Sequence, residues 1–340
     1  MQDEELDKAL AKRLGGADKA FASPTINYWM STGSPVLDLA LREWKKSGGW
    51  PGGKLIDLYG RNHAGKTSLC LRTARSCQQQ GGRVFYLNTT EQGFNPELAI
   101  TIGANVTEKP SDSWCLLNVF SLEGWGDVCE EIAEERHERD EPTLVITDSL
   151  SSLGLMKYTM DGDDATSPSA AGAKWLHEFF RRGIFYYMTG SKIVLMVIRH
   201  QTDTPRVSFT DKTTHGSSVD FYSWLRVRMT RSDMQDADGG KRCGSWLTAK
   251  VVKNKVGSLY GEVSMPFYTG KGFNAGLEVF WALKEFGKLE GSGARYIWDG
   301  KSYYMKELVD LYATSAVVKE QALQLLRESG GKKVVEKKKK

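Results

Sequence analysis

Residues 60–67 run Gly60-Arg61-Asn62-His63-Ala64-Gly65-Lys66-Thr67, a complete GxxxxGKT pattern, and nothing else in the chain restricts its fold as strongly. The apolar run Leu55-Ile56-Asp57-Leu58-Tyr59 leads into it as a buried strand, and Ser68-Leu69-Cys70-Leu71-Arg72-Thr73-Ala74 leads out as a helix. The glycines let the backbone curl so that successive N–H groups point at a β/γ-phosphate. Lys66 reaches the same oxygens, Thr67 offers a hydroxyl to Mg²⁺, and the helix N-terminus adds its positive dipole end. The reading that follows is a nucleoside triphosphate site built from Gly60, Arg61, Asn62, His63, Ala64, Gly65, Lys66, Thr67 and Ser68, with Mg²⁺ beside the phosphates. A glycine turn before an ordinary helix is the competing interpretation, and the strand and helix on either side weigh against it.

A strand–loop–helix unit needs a sheet around it. Between residues 31 and 270 strand-like runs at 55–59, 83–87, 115–120, 143–147 and 192–198 alternate with amphipathic stretches near 66–79, 96–102, 123–137 and 170–189. Such alternation predicts an α/β fold, a mostly parallel twisted sheet flanked by helices. Runs at 222–230, 245–253 and 262–268 are closely spaced and alternate apolar with polar, which predicts antiparallel strands at one edge. Residues 3–14 carry Leu6, Leu10 and Leu14 on one helical stripe, too short to be stable alone. Beyond Gly270 a helix near 275–286, a hairpin turning at Asp299-Gly300 and a helix near 305–328 predict a small α+β unit. The expected organisation is therefore 1–30 for subunit packing, 31–270 as the core, 271–330 as the small domain and 331–340 as a basic disordered tail.

Charge narrows the partners. The chain carries +4 overall, but the segment Lys332–Lys340 alone contributes +5, which leaves −1 for residues 1–331. Contact with nucleic acid must then come from local basic clusters and not from an overall field. No apolar run approaches the roughly 18 residues that span a bilayer. Five cysteines without a CxxC pair fit core thiols in a reducing cytoplasm.

Three polar residues follow strand-like runs, where open α/β sheets bind ligands. Asp148 ends the run 143–147 and is placed to hold Mg²⁺-bound water or, alternatively, to cap a helix. Glu91 follows 83–87, and Gln201 follows 192–198. A carboxylate at the first position can orient a water attacking the γ-phosphate. The amide at the second can sense that phosphate. Either can equally be an ordinary loop polar residue. Two Gly/Ser/Thr-rich stretches, 156–169 and 202–218, interrupt the core as candidate functional loops.

Taken in order, Ser31-Thr32-Gly33-Ser34-Pro35-Val36-Leu37-Asp38, Leu58-Tyr59-Gly60 through Gly65-Lys66-Thr67, Thr90-Glu91 with Asn95-Pro96, Val145-Ile146-Thr147-Asp148-Ser149, His200-Gln201 and Lys250-Val251-Val252-Lys253-Asn254-Lys255 resemble the RecA family of strand-exchange recombinases. The resemblance runs from the N-terminal helix to about residue 310. It implies that Lys66 and Thr67 serve the phosphates and Mg²⁺, that Glu91 is the catalytic carboxylate, that Asp148 serves the metal, and that Gln201 couples the γ-phosphate to the following loop. It implies further that Lys253 and Lys255 reach the ATP of the next protomer.

The two interrupting stretches match the family's DNA-binding loops. On this reading Lys174, His177 and Arg181 on the helix after the first, and Arg206, Val207, Phe209, Lys212, Thr213, Thr214, Gly216 and Ser217 in the second, contact single- and double-stranded DNA. The resemblance also implies a homo-oligomeric helical filament, mediator and single-strand-binding proteins as partners, no membrane contact and a cytoplasmic, DNA-associated location.

The chain departs from the family at Leu98, where an aromatic commonly stacks on adenine, at His200 (usually Asn), at His215 (usually Gly) and at Asp220 (usually Lys). With the lysine tail and ten tryptophans, these departures suggest a divergent, phage-encoded member. The expected activity is a DNA-stimulated ATPase that exchanges strands. Alternatives are a hexameric helicase-like motor, a small-molecule P-loop kinase, and a DNA-binding mediator that no longer hydrolyses ATP.

Overall fold

A computed structural model describes residues 2–13, 26–46, 48–156, 168–202, 212–213, 217–235, 241–255, 257, 261–292 and 294–331. After helix α1 (Gln2–Arg13), the short strands β1 (Trp29–Met30) and β2 (Trp50–Pro51) pair antiparallel around helix α2 (Pro35–Leu41). Ser34 starts α2 by accepting the Leu37 amide. Then β3 (Lys54–Gly60), α3 (Lys66–Gln79), β4 (Arg83–Asn88), α4 (Pro96–Ile102), β5 (Trp114–Asn118), α5 (Leu122–Arg136) and β6 (Thr143–Asp148) alternate. Helices α6 (Pro168–Arg182) and α7 (Ile184–Met188) precede β7 (Ile193–Thr202), onto whose end the two-residue β8 (Lys212–Thr213) folds back. Helix α8 (Ser217–Tyr222) leads into β9 (Leu225–Gln235), β10 (Arg242–Asn254), β11 (Glu262–Tyr268) and β12 (Gly272–Phe273). Helix α9 (Ala275–Glu285), a small sheet of β13 (Gly291–Ser292), β14 (Arg295–Trp298) and β15 (Lys301–Tyr304), and helices α10 (Met305–Thr314) and α11 (Ala316–Ser329) follow.

The large sheet has the order β12-β11-β10-β9-β3-β7-β6-β4-β5. From β9 through β3, β7, β6 and β4 to β5 every pairing is parallel, and β10, β11 and β12 add antiparallel strands beyond β9. Successive side chains of a strand point to opposite faces, so a sheet covered on both sides needs apolar residues at every position. Leu55, Phe85, Val145 and Leu195 accordingly pack under α5, α6 and α7. Their strand neighbours Ile56, Tyr86, Ile146 and Met196 pack under α2, α3 and α9. Trp125 of α5 is fully buried, and its indole N–H donates to Thr147 Oγ1 at 2.8 Å, which frees the ring to contribute its full apolar area.

The alternating core, the antiparallel edge and the Asp299-Gly300 hairpin turn take the form that periodicity predicts. Three expectations need correction. The run 170–189 is two helices because the chain turns at Gly183, and 305–328 is two because Ser315 ends one helix and caps the next. The strand expected from 222 begins at Leu225, because residues 217–222 are helical, and it continues to Gln235. Leu6 and Leu10 of α1 are exposed. None of the five cysteines is in a disulfide. The tail beyond Gly331 lies outside the described residues, as do most of the two interrupting stretches.

Candidate nucleotide site

Strand β3 ends at Gly60 and α3 begins at Lys66, so the loop between them sits at the carboxyl edge of the parallel strands, next to the ends of β6 and β7. Gly65 is the residue before α3, with φ of 88° and no side chain capping the helix. A Cβ there would stand 2.6 Å from Leu247 Cδ1, so both conformation and space demand glycine. The first-turn amides of α3 are left pointing into the loop, the arrangement that favours an anion. Lys66 is buried and folds back over the loop, donating to the carbonyls of Gly60 at 3.0 Å and Arg61 at 2.8 Å. Burial depresses its ammonium pKa, against the opposing pull of Asp148 and Glu91. Arg61, Asn62 and His63 are exposed.

At the end of β6, Asp148 accepts from Thr67 Oγ1 at 2.7 Å and from the Tyr86 hydroxyl at 2.6 Å, both on Oδ2. Burial pushes its carboxyl pKa up, more than those two hydrogen bonds and Lys66 pull it down. Glu91, on the loop after β4, accepts from Ser149 Oγ at 3.1 Å and faces His200 Nε2, which lies 2.9 Å from its Oε1. Ser149 and Ser152 are in turn fixed by Thr89, whose hydroxyl bonds the Asp148 and Ser149 carbonyls. His200 is anchored through its amide to Ser151 Oγ at 2.8 Å. The loops after β4 and β6 and the end of β7 are thus cross-linked by polar contacts, and Lys66, Thr67, Glu91 and Asp148 come together.

Gln201 is one residue further along β7 and pairs with Thr213 of β8. With Arg61 to Ala64 and the Arg228–Asp233 run of β9 it lines a cleft of about 790 Å³, within the range of small-molecule sites. Across this cleft Arg231 donates to Ser245 Oγ and to the His63 carbonyl.

The oxygens of Thr67 and Asp148 suit a hard cation such as Mg²⁺, which takes one or two protein ligands beside substrate phosphates. Thr67 gives its proton to Asp148, which leaves the lone pairs of its hydroxyl for a cation. Among the described residues no group of three or more His, Cys, Asp or Glu is arranged to hold a metal without a phosphate.

The remaining sequence-predicted residues lie elsewhere. Lys253, near the end of β10, donates to the Asp220 carbonyl and, at 3.0 Å, to that of Phe221, at the C-terminal end of α8. Lys255 follows the strand, is exposed, and has its ammonium 5.8 Å from the Trp224 ring. Lys174, His177 and Arg181 are exposed on α6, against which Ser218 of α8 packs by donating to the Ala173 carbonyl. Ser217 is exposed at the start of α8, and Lys212 and Thr213 form β8. Arg206, Val207, Phe209, Thr214 and Gly216 fall outside the described residues. Leu98 is half-buried in α4.

Tyr86 and the facing of His200 on Glu91 were not anticipated. The one sign was a tyrosine inside the run Arg83-Val84-Phe85-Tyr86-Leu87, whose hydroxyl needs a partner once the strand is buried.

A phosphate loop after the central strand of a mostly parallel sheet, with carboxylates at neighbouring strand ends, defines an α/β P-loop nucleotide-binding protein. The family described as RecA N-terminal domain matches residues 7–274. The chain belongs to the RecA family, whose members are ATP-binding proteins of DNA recombination and repair. It is 28% identical to Protein RecA of Borreliella burgdorferi (strain ZS7) over 293 residues, covering 85% of this chain and 76% of that one. It is 25% identical to Protein RecA of Lactococcus lactis subsp. cremoris (strain MG1363) over 332 residues, 91% of this chain and 82% of the relative. To Protein RecA of Borrelia hermsii (strain HS1 / DAH) it is 27% identical over 310 residues, 90% and 82%. No helix among the described residues is long and apolar enough to cross a membrane.

Proposed function

We propose that this chain is a DNA-stimulated ATPase that forms helical filaments on single-stranded DNA and exchanges strands with a homologous duplex. The observation that carries the reading is the meeting of Lys66, Thr67, Glu91 and Asp148 at one edge of the sheet, in a member of the RecA family.

In this reading the loop amides from Gly60 to Ser68 and the Lys66 ammonium hold the phosphates. A phosphate oxygen replaces the Gly60 and Arg61 carbonyls as the acceptor for Lys66. Thr67 and Asp148 would hold Mg²⁺, which would supply positive charge to neutralise the phosphates. Glu91 takes a proton from the attacking water while Ser149 and His200 hold the carboxylate in place. Gln201 joins the γ-phosphate side of the cleft to the 202–218 segment through its ladder with Thr213. Lys174, His177, Arg181, Lys212, Thr213 and Ser217, with the undescribed Arg206, Val207, Phe209, Thr214 and Gly216, meet DNA. Their hydroxyls and cations suit backbone phosphates and read no sequence. Lys253 and Lys255 act on the ATP of the neighbouring protomer, Lys253 exchanging its α8 carbonyls for phosphate oxygens. The assignment keeps the core at 31–270, the small domain at 271–330, and a cytoplasmic, DNA-associated location with single-strand-binding and mediator proteins nearby.

The test is joint-molecule formation between single-stranded DNA and a supercoiled duplex with ATP and Mg²⁺, with phosphate release followed in the same tube. Homology-dependent joints that disappear in Lys66→Ala support the reading. DNA-stimulated hydrolysis without joints assigns a helicase-like motor instead, and hydrolysis indifferent to DNA refutes the DNA-linked function.

A further inference from the structure

Beneath the nucleotide site lies a four-charge cluster that the proposed function does not use. Asp57 sits in β3 three residues before Gly60, and Arg199 in β7 two residues before Gln201; neither side chain has any exposed surface. Arg199 holds Asp57 with two bonds, Nε to Oδ1 at 2.9 Å and Nη2 to Oδ2 at 2.6 Å. Arg226, opposite Asp57 in the β3–β9 register, donates Nε to the same Oδ2 at 2.8 Å. One carboxylate therefore faces two guanidiniums. Burial alone would raise the Asp57 carboxyl pKa, but Arg199 and Arg226 outweigh it and hold it below the usual carboxylate range.

The second carboxylate does not come from the sheet. Asp220 belongs to α8, the helix that leaves the 202–218 segment, and its Oδ1 meets Arg199 Nη2 and lies 3.0 Å from Arg226 Nη2. Its carbonyl meanwhile accepts from Lys253. Asp220 alone among the four keeps substantial contact with water, at 29% side-chain exposure against 0% for Asp57 and Arg199 and 14% for Arg226. It is the member that can leave at least cost, because water can solvate it when it goes. Its departure would leave two guanidiniums on one buried carboxylate, so the cluster pulls it back. The charge-assisted hydrogen bond from Arg199 to Asp220, unlike apolar contact, fixes both distance and orientation.

We propose that Asp220 is a positioning residue whose carboxylate latches α8 onto the strand carrying Gln201, so that a shift at Gln201 and a shift of α8 occur together. The functional half of this statement rests on the reading of Gln201 and the 202–218 segment given above; the latch itself does not.

Two readouts on the full-length chain separate them. One is amide hydrogen exchange of residues 217–223 without nucleotide; the other is ATP turnover with and without single-stranded DNA. Asp220→Asn is expected to speed exchange in that peptide at least tenfold. It should also cut DNA stimulation at least tenfold while leaving DNA-free turnover and the ATP KM within twofold. Asp220→Glu should restore both readouts. Asp220→Asn/Arg226→Gln restores charge balance without a carboxylate on α8, so it should restore neither, and it also serves where the single variant folds poorly. Unchanged exchange in Asp220→Asn, or full restoration by the charge-balanced double variant, overturns the latch. A wild-type chain that DNA does not stimulate overturns the proposed function instead, and exchange then decides the latch by itself.

Discussion

Substitution of Glu278 probes how the phosphate-loop helix is held to the C-terminal part of the chain. Glu278, on α9, is wholly buried and lies 2.8 Å from Arg72 Nη1 on α3; its other oxygen accepts from Ser34 Oγ. The Arg72 guanidinium also stacks over the Phe273 ring, 4.4 Å from its centroid. At an effective dielectric of about 20, charges 2.8 Å apart attract by about 6 kcal/mol. Desolvation of two ions costs several kcal/mol each, so the intact pair contributes little net stability. Removing one charge is different, because the desolvation of the other remains. Glu278→Gln keeps the shape and leaves a buried guanidinium uncompensated, which should cost about 3–5 kcal/mol. That is a large part of a typical total of about 5–15 kcal/mol. Arg72→Met should cost a similar amount. The double variant Arg72→Met/Glu278→Gln, with both charges gone, should cost less than the two single effects added together by at least about 2 kcal/mol. Urea unfolding at pH 7, followed by far-UV circular dichroism and tryptophan fluorescence, measures all three. A Glu278→Gln cost below about 1 kcal/mol, or strictly additive single effects, would show that the contact does not tie the two elements.

Asp38 gives a pH signature: burial, against hydrogen bonds from Ser31 and the Thr32 amide, pushes its carboxyl up to about 6 from an ordinary 3.8. The folded state thus holds the proton more tightly than the unfolded one, so this contribution is complete below about pH 4 and is lost as pH rises through about 6, a change of about 3 kcal/mol. Asp38→Asn should gain on wild type by about that amount between pH 4 and pH 7 in urea unfolding; a pH-independent difference would exclude Asp38 as the source. Gly65→Ala should lower nucleotide affinity at least tenfold in a fluorescent-nucleotide titration, through both φ and the Leu247 contact, and unchanged affinity would mean that the loop can shift. Glu91→Gln should retain ATP affinity but slow single-turnover phosphate release by about 10²–10⁴-fold; an unaltered rate removes Glu91 from catalysis.

The strand–loop–helix unit was legible because its glycines, lysine and flanking periodicity are all local in sequence. Glu91, Asp148 and Gln201 were legible as positions, since each closely follows a strand-like run. Their supports were not, because these come from distant segments. His200 meets Glu91 across 109 residues, and Tyr86 meets Asp148 across 62. Asp57 and Arg199 did leave a trace, Asp57 as a single charge inside the otherwise apolar run Leu55-Ile56-Asp57-Leu58-Tyr59 and Arg199 as a charge directly after the run 192–198. A charge in a strand covered on both faces must find an opposite charge, but strand order decides which, and that order is not written in either run. The breaks at Gly183 and Ser315 were missed because amphipathic spacing continues across them.

Both buried ionic groups described above grip the same strand–loop–helix unit. Arg72 holds α3 from the side of α2 and α9, and Asp57 holds β3 from β7 and β9. Apolar packing would stabilise these elements as well or better, but it is non-directional and tolerates sliding. Charge-assisted hydrogen bonds do not, since a displacement of an ångström breaks them and exposes an uncompensated ion. A loop that must present amides, a lysine and a hydroxyl to one group of phosphate oxygens needs its strand and its helix held against such sliding. The cost of burying these charges falls where a misplacement would do the most damage to the site, and the most exposed member, Asp220, lies on α8 and not on the sheet.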